Sequence, residues 1–345
     1  MFSSYMFRRV VARSVLLPKA IRGKRVVVTG AGGFIGSHLV EALVAHGANV
    51  TAFFRYTSHA GLGCLANSPV RSKIVVYYGD IRDRDSVAEA FGDCEIVFHL
   101  AAHIGIPYSY AAPQDFIDVN VTGTANALQA ARKMKRPPRV VVVSTSEVYG
   151  SAQITPMDET HPLTPQSPYA ASKLAAEKLA LAFHLSYETP VSIARPFNVF
   201  GPRQSPRAIF PTIVTQALES STVRLGAVDT RRDLTFVSDT VRGLIMCAVA
   251  PNAIGQTLNL ATGADVSIRE LVDEIGAELR KKLRIKEDNR RLRPARSEVM
   301  RLVGDATRAK ALLGWRPEVT RHKGIRATIK YFKSHRAVDA AEYRV

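Results

Sequence analysis

Apolar residues fall along the first part of this chain in short continuous runs rather than in alternation. The runs are RVVVT (25–29), NVTAFF (49–54), IVVYY (74–78), IVFHL (96–100), VVVV (140–143) and VSIA (191–194). Uninterrupted runs of this length are what strands buried on both faces of a parallel sheet require. Between them lie stretches of helical character, such as Gln114 to Met134 and Pro168 to Tyr187. Strand alternating with helix over 23–200 predicts an α/β domain built on a doubly wound parallel sheet.

After Phe200 the pattern breaks. GPRQSPRAIFP is loop-like, the segments 201–224, 251–265 and 284–317 are irregular, and 230–250 and 267–282 read as helices. This predicts a smaller C-terminal lobe over 201–335, interleaved with the sheet domain through helical returns, then a tail at 336–345. A cleft between lobes is a usual place for a ligand. No apolar run approaches the roughly 18 residues of a membrane span, so none is expected.

Charge changes the picture less than its size suggests. The net charge is +17, but residues 1–25 hold seven Lys or Arg and no acid, and residues 280–345 hold 20 basic against seven acidic. The basic excess therefore belongs to the two ends, and no general nucleic-acid-binding face is expected. Residues 1–22 read as a basic extension whose acid-free, Arg- and Ser-containing composition also fits an organellar transit peptide. Three cysteines, Cys64, Cys94 and Cys247, stand far apart and outside any CxxC, which points to a reducing compartment, and a cytoplasmic location is expected. His99 and His103 lie at a strand end, where a four-residue spacing does not share one helical face, so no metal site is expected.

Two stretches carry chemistry. The first, RVVVTGAGGFIGSHLVEAL (25–43), is a strand, a turn with Gly30, Gly33 and Gly36, and a helix. Small residues there let backbone approach a pyrophosphate that sits on the helix N-terminus. No Lys-Ser/Thr pair follows, so a P-loop is excluded, and a plain structural turn is the bland alternative. The second is Tyr169 and Lys173, four apart on a helix and hence one turn apart on one face. An ammonium near a phenol stabilises the phenolate and lowers its pKa toward working pH, which suits a general base on an alcohol. Upstream, STSEVYG (144–150) ends a strand at the edge where open parallel sheets bind ligands.

With these motifs the chain resembles, over nearly its whole length, the extended short-chain dehydrogenase/reductases that act on nucleotide sugars. The resemblance rests on TGAGGFIG (29–36), GDIRD (79–83), FHLAA (98–102), NVTGT (120–124), STSEVYG, SPYAASK (167–173), RPFNVFGPRQ (195–204), RRDLTFVSD (231–239), RLRPARSEV (291–299) and LLGWRP (312–317). It implies a Rossmann domain with a tightly bound nicotinamide dinucleotide held by Gly30, Gly33, Phe34, Ile35, Gly36, Leu100, Ala101, Ala102, Tyr169, Lys173 and Pro196, with Asp80 and Ile81 near the adenine. It also implies Thr145 and Tyr169 at the sugar 4-hydroxyl, and nucleotide-sugar contacts for Asn198, Arg207, Arg232 and Arg293. A homodimer is expected on the same ground.

Within that family the Thr-x-Glu of Thr145 and Glu147 resembles 4,6-dehydratases and UDP-glucuronate decarboxylases, whereas UDP-galactose-type epimerases usually lack the acid. Ser146 stands where dTDP-glucose dehydratases usually carry Asp, which leaves Glu147 as acid as well as base. FFRYTS (53–58), IPYSYAAPQDFIDVN (106–120) and SPYAASK resemble dehydratases acting on nucleotide-linked N-acetylglucosamine. The expected function is a 4,6-dehydratase acting on UDP- or GDP-linked N-acetylglucosamine or on GDP-mannose. A 4-epimerase or decarboxylase of the same family is the alternative, and a dinucleotide-binding regulator is the non-enzyme alternative. The second strand ends in Arg55 with no acid beside it, and an arginine there accommodates a ribose 2′-phosphate. The expected cofactor is therefore NADP, with NAD as the alternative.

Overall fold

The computed structural model describes residues 17–57 and 61–335, so the basic extension as far as residue 16, Ser58 and the tail from 336 lie outside the described residues. Six strands come first: β1 (Arg25–Thr29), β2 (Asn49–Arg55), β3 (Ile74–Gly79), β4 (Ile96–His99), β5 (Arg139–Val143) and β6 (Val191–Pro196). The chain then forms β7 (Asn198–Phe200), β8 (Thr222–Leu225) and β9 (Arg231–Phe236) in the smaller lobe, and returns to the central sheet as β10 (Thr257–Leu260). The seven-stranded order is β10-β6-β5-β4-β1-β2-β3, every pair parallel.

The continuous apolar runs are explained by two cores, one on each face. Val26, Val28 and Phe54 face a layer with Leu39, Val40 and Leu43 of the helix Phe34–Ala45 and with Val241 and Leu244 of the helix Val237–Val249. Val27, Phe53 and Val97 face the opposite layer, with Val87, Leu128 and Phe183 of the helices Arg84–Phe91, Gly123–Lys133 and Pro168–Tyr187. The strand order reverses between β1 and β4, and such a switch point opens a crevice at the carboxyl ends of the strands.

The smaller lobe completes with β11 (Asp265–Ser267), β12 (Arg284–Glu287) and β13 (Arg301–Leu302). Around β9 lie β7, β11 and β13, while β8 pairs with β12. Here the sequence expectations need correction. The segment 230–250 is not helical throughout: β9 occupies its start because three neighbouring strands pair with it, a tertiary effect that local propensity does not carry. The segment 201–224 contains the helix Ile209–Glu219, and 251–265 contributes β10, only four residues long, to the central sheet. The stretch read as one helix from Gln114 is a short α-helix (Pro113–Phe116), a π-helical turn (Ile117–Thr122) and the helix Gly123–Lys133.

Candidate active site

At the switch point, Gly30 has a left-handed φ of +69°, and a Cβ there would come 2.9 Å from the Ala101 amide nitrogen. A Cβ on Gly36 would fall on the Gly30 carbonyl oxygen. The turn thus packs backbone to backbone against the end of β4, where Leu100 and Ala101 donate their amides to Thr29 Oγ1 at 3.1 Å. Gly33 is the N-cap of the helix that begins Phe34-Ile35-Gly36, and no side chain caps it. A close-packed glycine turn leading into an uncapped helix N-terminus fits a dinucleotide pyrophosphate.

The reactive side chains are brought to the same edge. Ser167 caps the helix Pro168–Tyr187 by accepting the Ala170 amide at 3.1 Å, with Pro168 in its first turn. That start sets Tyr169 and Lys173, both buried, against the turn that carries Thr145, Ser146 and Glu147, also buried. Thr145 Oγ1 accepts the Glu147 amide at 3.2 Å. The π-helical turn presents Asn120, which donates to Ser172 Oγ at 2.9 Å and to the His103 carbonyl at 3.0 Å. Phe116 packs edge-on to the Tyr169 ring, 6.2 Å between centroids.

Burial dominates the titration of this pair, which corrects one expectation. The Tyr169 phenol is pushed up to about 12 by burial; a hydrogen bond with Thr145 opposes the rise and the Glu147 charge adds to it. Lys173 is lowered to about 8 by burial, with the Glu177 charge opposing. The lysine therefore does not bring the phenol below its ordinary value in this geometry. Beneath the pair, His99 is driven down to about 3 by burial and by the Lys173 charge. Its tautomer follows from its neighbours. Thr124 spends its hydroxyl proton on the Asn120 carbonyl, so His99 Nε2 donates to Thr124, and Thr29 donates to Nδ1.

Two of the expected substrate residues converge on the same spot. Arg293 Nη1 lies 3.6 Å from Glu147 Oε2 and 3.8 Å from Glu298 Oε1, and Arg232 Nη2 lies 3.4 Å from that same Glu298 oxygen. Arg232 is buried, which lowers its pKa, and the Glu147 charge opposes this. Asn198 sits on β7 with a buried Oδ1 that has no hydrogen-bond partner. Arg207 is not brought to this cluster: it is exposed, and its amide bonds Ser205 Oγ at 3.4 Å. Pro196 is the buried last residue of β6. Around the mouth, Arg55 ends β2 opposite Gly79, and Arg82 forks onto Asp80 at 2.6 and 3.0 Å, holding that carboxyl below its usual range. Ile81 is buried against Gly123. Ala102 is half-buried just past β4.

Residues that single-sequence reasoning passed over complete the site. Glu298, which bridges the two arginines, lies inside the quoted RLRPARSEV motif, where spacing alone did not single it out. Asn120 lies inside the quoted NVTGT motif, and only the π-helical turn reveals why it points inward.

Comparison with known proteins shows the family to which this fold belongs. A family model described as GDP-mannose 4,6 dehydratase matches residues 27–328. The UDP-glucose 4-epimerase of Mycolicibacterium smegmatis is 34% identical over 90% of this chain and 99% of its own. A dTDP-glucose 4,6-dehydratase of Actinoplanes is 31% identical over 91% and 99%. Among solved structures, a dTDP-glucose 4,6-dehydratase mutant from Streptomyces venezuelae with NAD bound has a TM-score of 0.81 at 30% identity, covering 90% of this chain and 98% of that one. By match length, fold and site, the chain belongs to the extended short-chain dehydrogenase/reductase family of NAD-dependent nucleotide-sugar dehydratases and epimerases.

Proposed function

We propose that the protein is a nucleotide-sugar 4,6-dehydratase. The observation that carries the reading is Glu147: a buried carboxylate in the turn that faces Tyr169, on the side where Arg232 and Arg293 converge. An epimerase that only inverts C4 has no task for such a base, whereas elimination across C5–C6 requires one. A bound nicotinamide dinucleotide would supply the acceptor, and later the donor, of the hydrogen removed from C4. Tyr169 takes the C4 hydroxyl proton, Thr145 orients that hydroxyl, and the Lys173 ammonium stabilises the phenolate. The C4 ketone acidifies C5, so Glu147 removes the C5 proton and passes a proton to the departing C6 hydroxyl. Water leaves, the hydrogen taken from C4 is delivered to C6, Glu147 relays a solvent proton to C5, and the C4 hydroxyl proton held by Tyr169 passes to solvent, with no net oxidation.

The substrate proposed is UDP- or GDP-linked N-acetylglucosamine or GDP-mannose, on the resemblance of the segments 106–120 and 167–173. The proposed cofactor is NADP, with NAD as the alternative: Arg55 is exposed at the end of β2, where its charge reaches Asp80 and His103, and no acid of β2 opposes a 2′-phosphate there. Incubating the protein with UDP-N-acetylglucosamine, GDP-mannose, dTDP-glucose and UDP-glucuronate, and reading product mass, tests the reaction. Loss of one water from UDP-N-acetylglucosamine or GDP-mannose is expected. Loss of carbon dioxide from the uronate, or an unchanged mass with a new stereocentre, overturns the dehydratase reading.

A further inference from the structure

Behind the catalytic pair lies a buried polar chain that no step of the reaction uses. Glu177, one turn beyond Lys173 on the same helix, is 1% exposed. Its two carboxylate oxygens accept from Arg195 of β6, Nε at 2.9 Å and Nη2 at 2.7 Å. Arg195, 3% exposed, also donates from Nη1 to Tyr149 Oη at 2.8 Å, and its guanidinium lies 4.8 Å from the centroid of that ring. Tyr149 closes the turn that carries Glu147, and passes its own hydroxyl proton to Asn259 Oδ1 of β10 at 2.8 Å. A fork-to-fork arginine–carboxylate pair fixes a carboxylate in place more firmly than any single bond. A buried ion pair is a poor device for stability alone, because desolvation offsets much of its attraction.

We propose that Glu177 is a positioning residue for Lys173: locked by Arg195, its fixed negative charge one turn away keeps the buried lysine an ammonium at neutral pH. This rests on the reading that Lys173 serves the reaction as a cation. The surroundings of Lys173 leave that task to Glu177. On its own helix the titratable neighbours are Tyr169 and Glu177. From the end of β4 comes His99, held neutral between Thr29 and Thr124. The π-helical turn offers the uncharged Asn120, and the 146–149 turn offers Glu147, whose charge acts on Tyr169. From β6 comes Arg195, turned onto Glu177. Burial lowers Lys173 to about 8, and Glu177 is the group that resists the fall. Four residues apart on one helix and both buried, Lys173 and Glu177 are side-chain neighbours, and an opposite charge within roughly 4–6 Å typically moves a pKa by about one to three units.

The test is a pH titration of the Lys173 side-chain nitrogen by NMR in the full-length chain labelled at lysine, the signal being assigned by its loss in Lys173→Ala. In Glu177→Gln the midpoint is expected to fall by about one unit or more. In Tyr149→Phe, which slackens the same chain without removing a charge, it is expected to stay at the wild-type value. A midpoint unmoved in folded Glu177→Gln, or moved equally in both variants, overturns the proposal. If Glu177→Gln yields no folded protein, Glu177→Asp draws the charge back by one methylene; a lowered midpoint supports the proposal and an unmoved one overturns it. The readout needs no turnover, so it stands or falls separately from the dehydratase reading.

Discussion

Tyr169 starts the reaction from an unfavourable position, its phenol pushed up to about 12 by burial, so its base function depends on the groups around it. A hydrogen bond with Thr145 favours the phenolate and the Glu147 charge opposes it; in the proposed mechanism the Lys173 ammonium adds to the favourable side. Removing the phenol hydroxyl or the ammonium should therefore cost more than a surface contact would. Tyr169→Phe and Lys173→Ala are each expected to lower turnover at least about a hundredfold, the lower end for lost acid–base help. Steady-state kcat of the two variants, with circular dichroism to show an intact fold, checks this. Near-wild-type turnover in both would remove them from the chemistry. At this scale the sequence was informative where spacing equals geometry, since Tyr169 and Lys173 one helical turn apart are necessarily neighbours. It was silent where contacts join distant segments: Glu298 lies in the quoted 291–299 motif beside Arg293, but its ion pair with Arg232, 66 positions earlier, has no counterpart in spacing, while Arg207, named with these arginines, is exposed.

Among the elements, the glycine turn packs against the end of β2, and the two together are proposed to frame the dinucleotide. Strands β1 to β6 were legible because burial on both faces writes them as unbroken apolar runs. TLNL of β10 was not, being too short to carry a period, and neither was β9, which begins with two arginines and owes its conformation to pairing with three neighbours. The β2 terminus supports a distinct test. Dinucleotide released from the purified protein by denaturation is expected to weigh as NADP, and Arg55→Ala is expected to weaken NADP binding at least about tenfold while leaving NAD within about twofold, since only the 2′-phosphate pairs with the guanidinium. Recovery of NAD alone, or equal weakening of both, contradicts that role for Arg55.

Across the whole molecule, two histidines hold the lobes and the sheet as neutral rings. His38, on the glycine-turn helix, bonds the Pro202 carbonyl of the smaller lobe's first loop at 3.0 Å, and burial drives it down to about 4. His99 is driven to about 3. Both folded values lie below the ordinary 6.5, so on acidification the unfolded chain binds protons that the native chain refuses. Stability is full above about pH 6.5 and is lost as pH falls toward 4, by about 2 kcal/mol for each histidine at pH 5. Urea midpoints at pH 7 and pH 5 check this, and His99→Asn is expected to flatten the slope; identical midpoints would contradict it. The same architecture bears on the proposed reaction, since the smaller lobe brings Arg293 within 3.6 Å of Glu147 and Arg232 within reach of its charge. The most direct measurement is product mass in deuterated water, using the nucleotide sugar that turns over. The account expects the wild type to give a product that has lost one water and gained one deuterium at C5, and Glu147→Gln to give none. A wild-type product of unchanged mass without deuterium, or a Glu147→Gln variant that dehydrates at the wild-type rate, would contradict it.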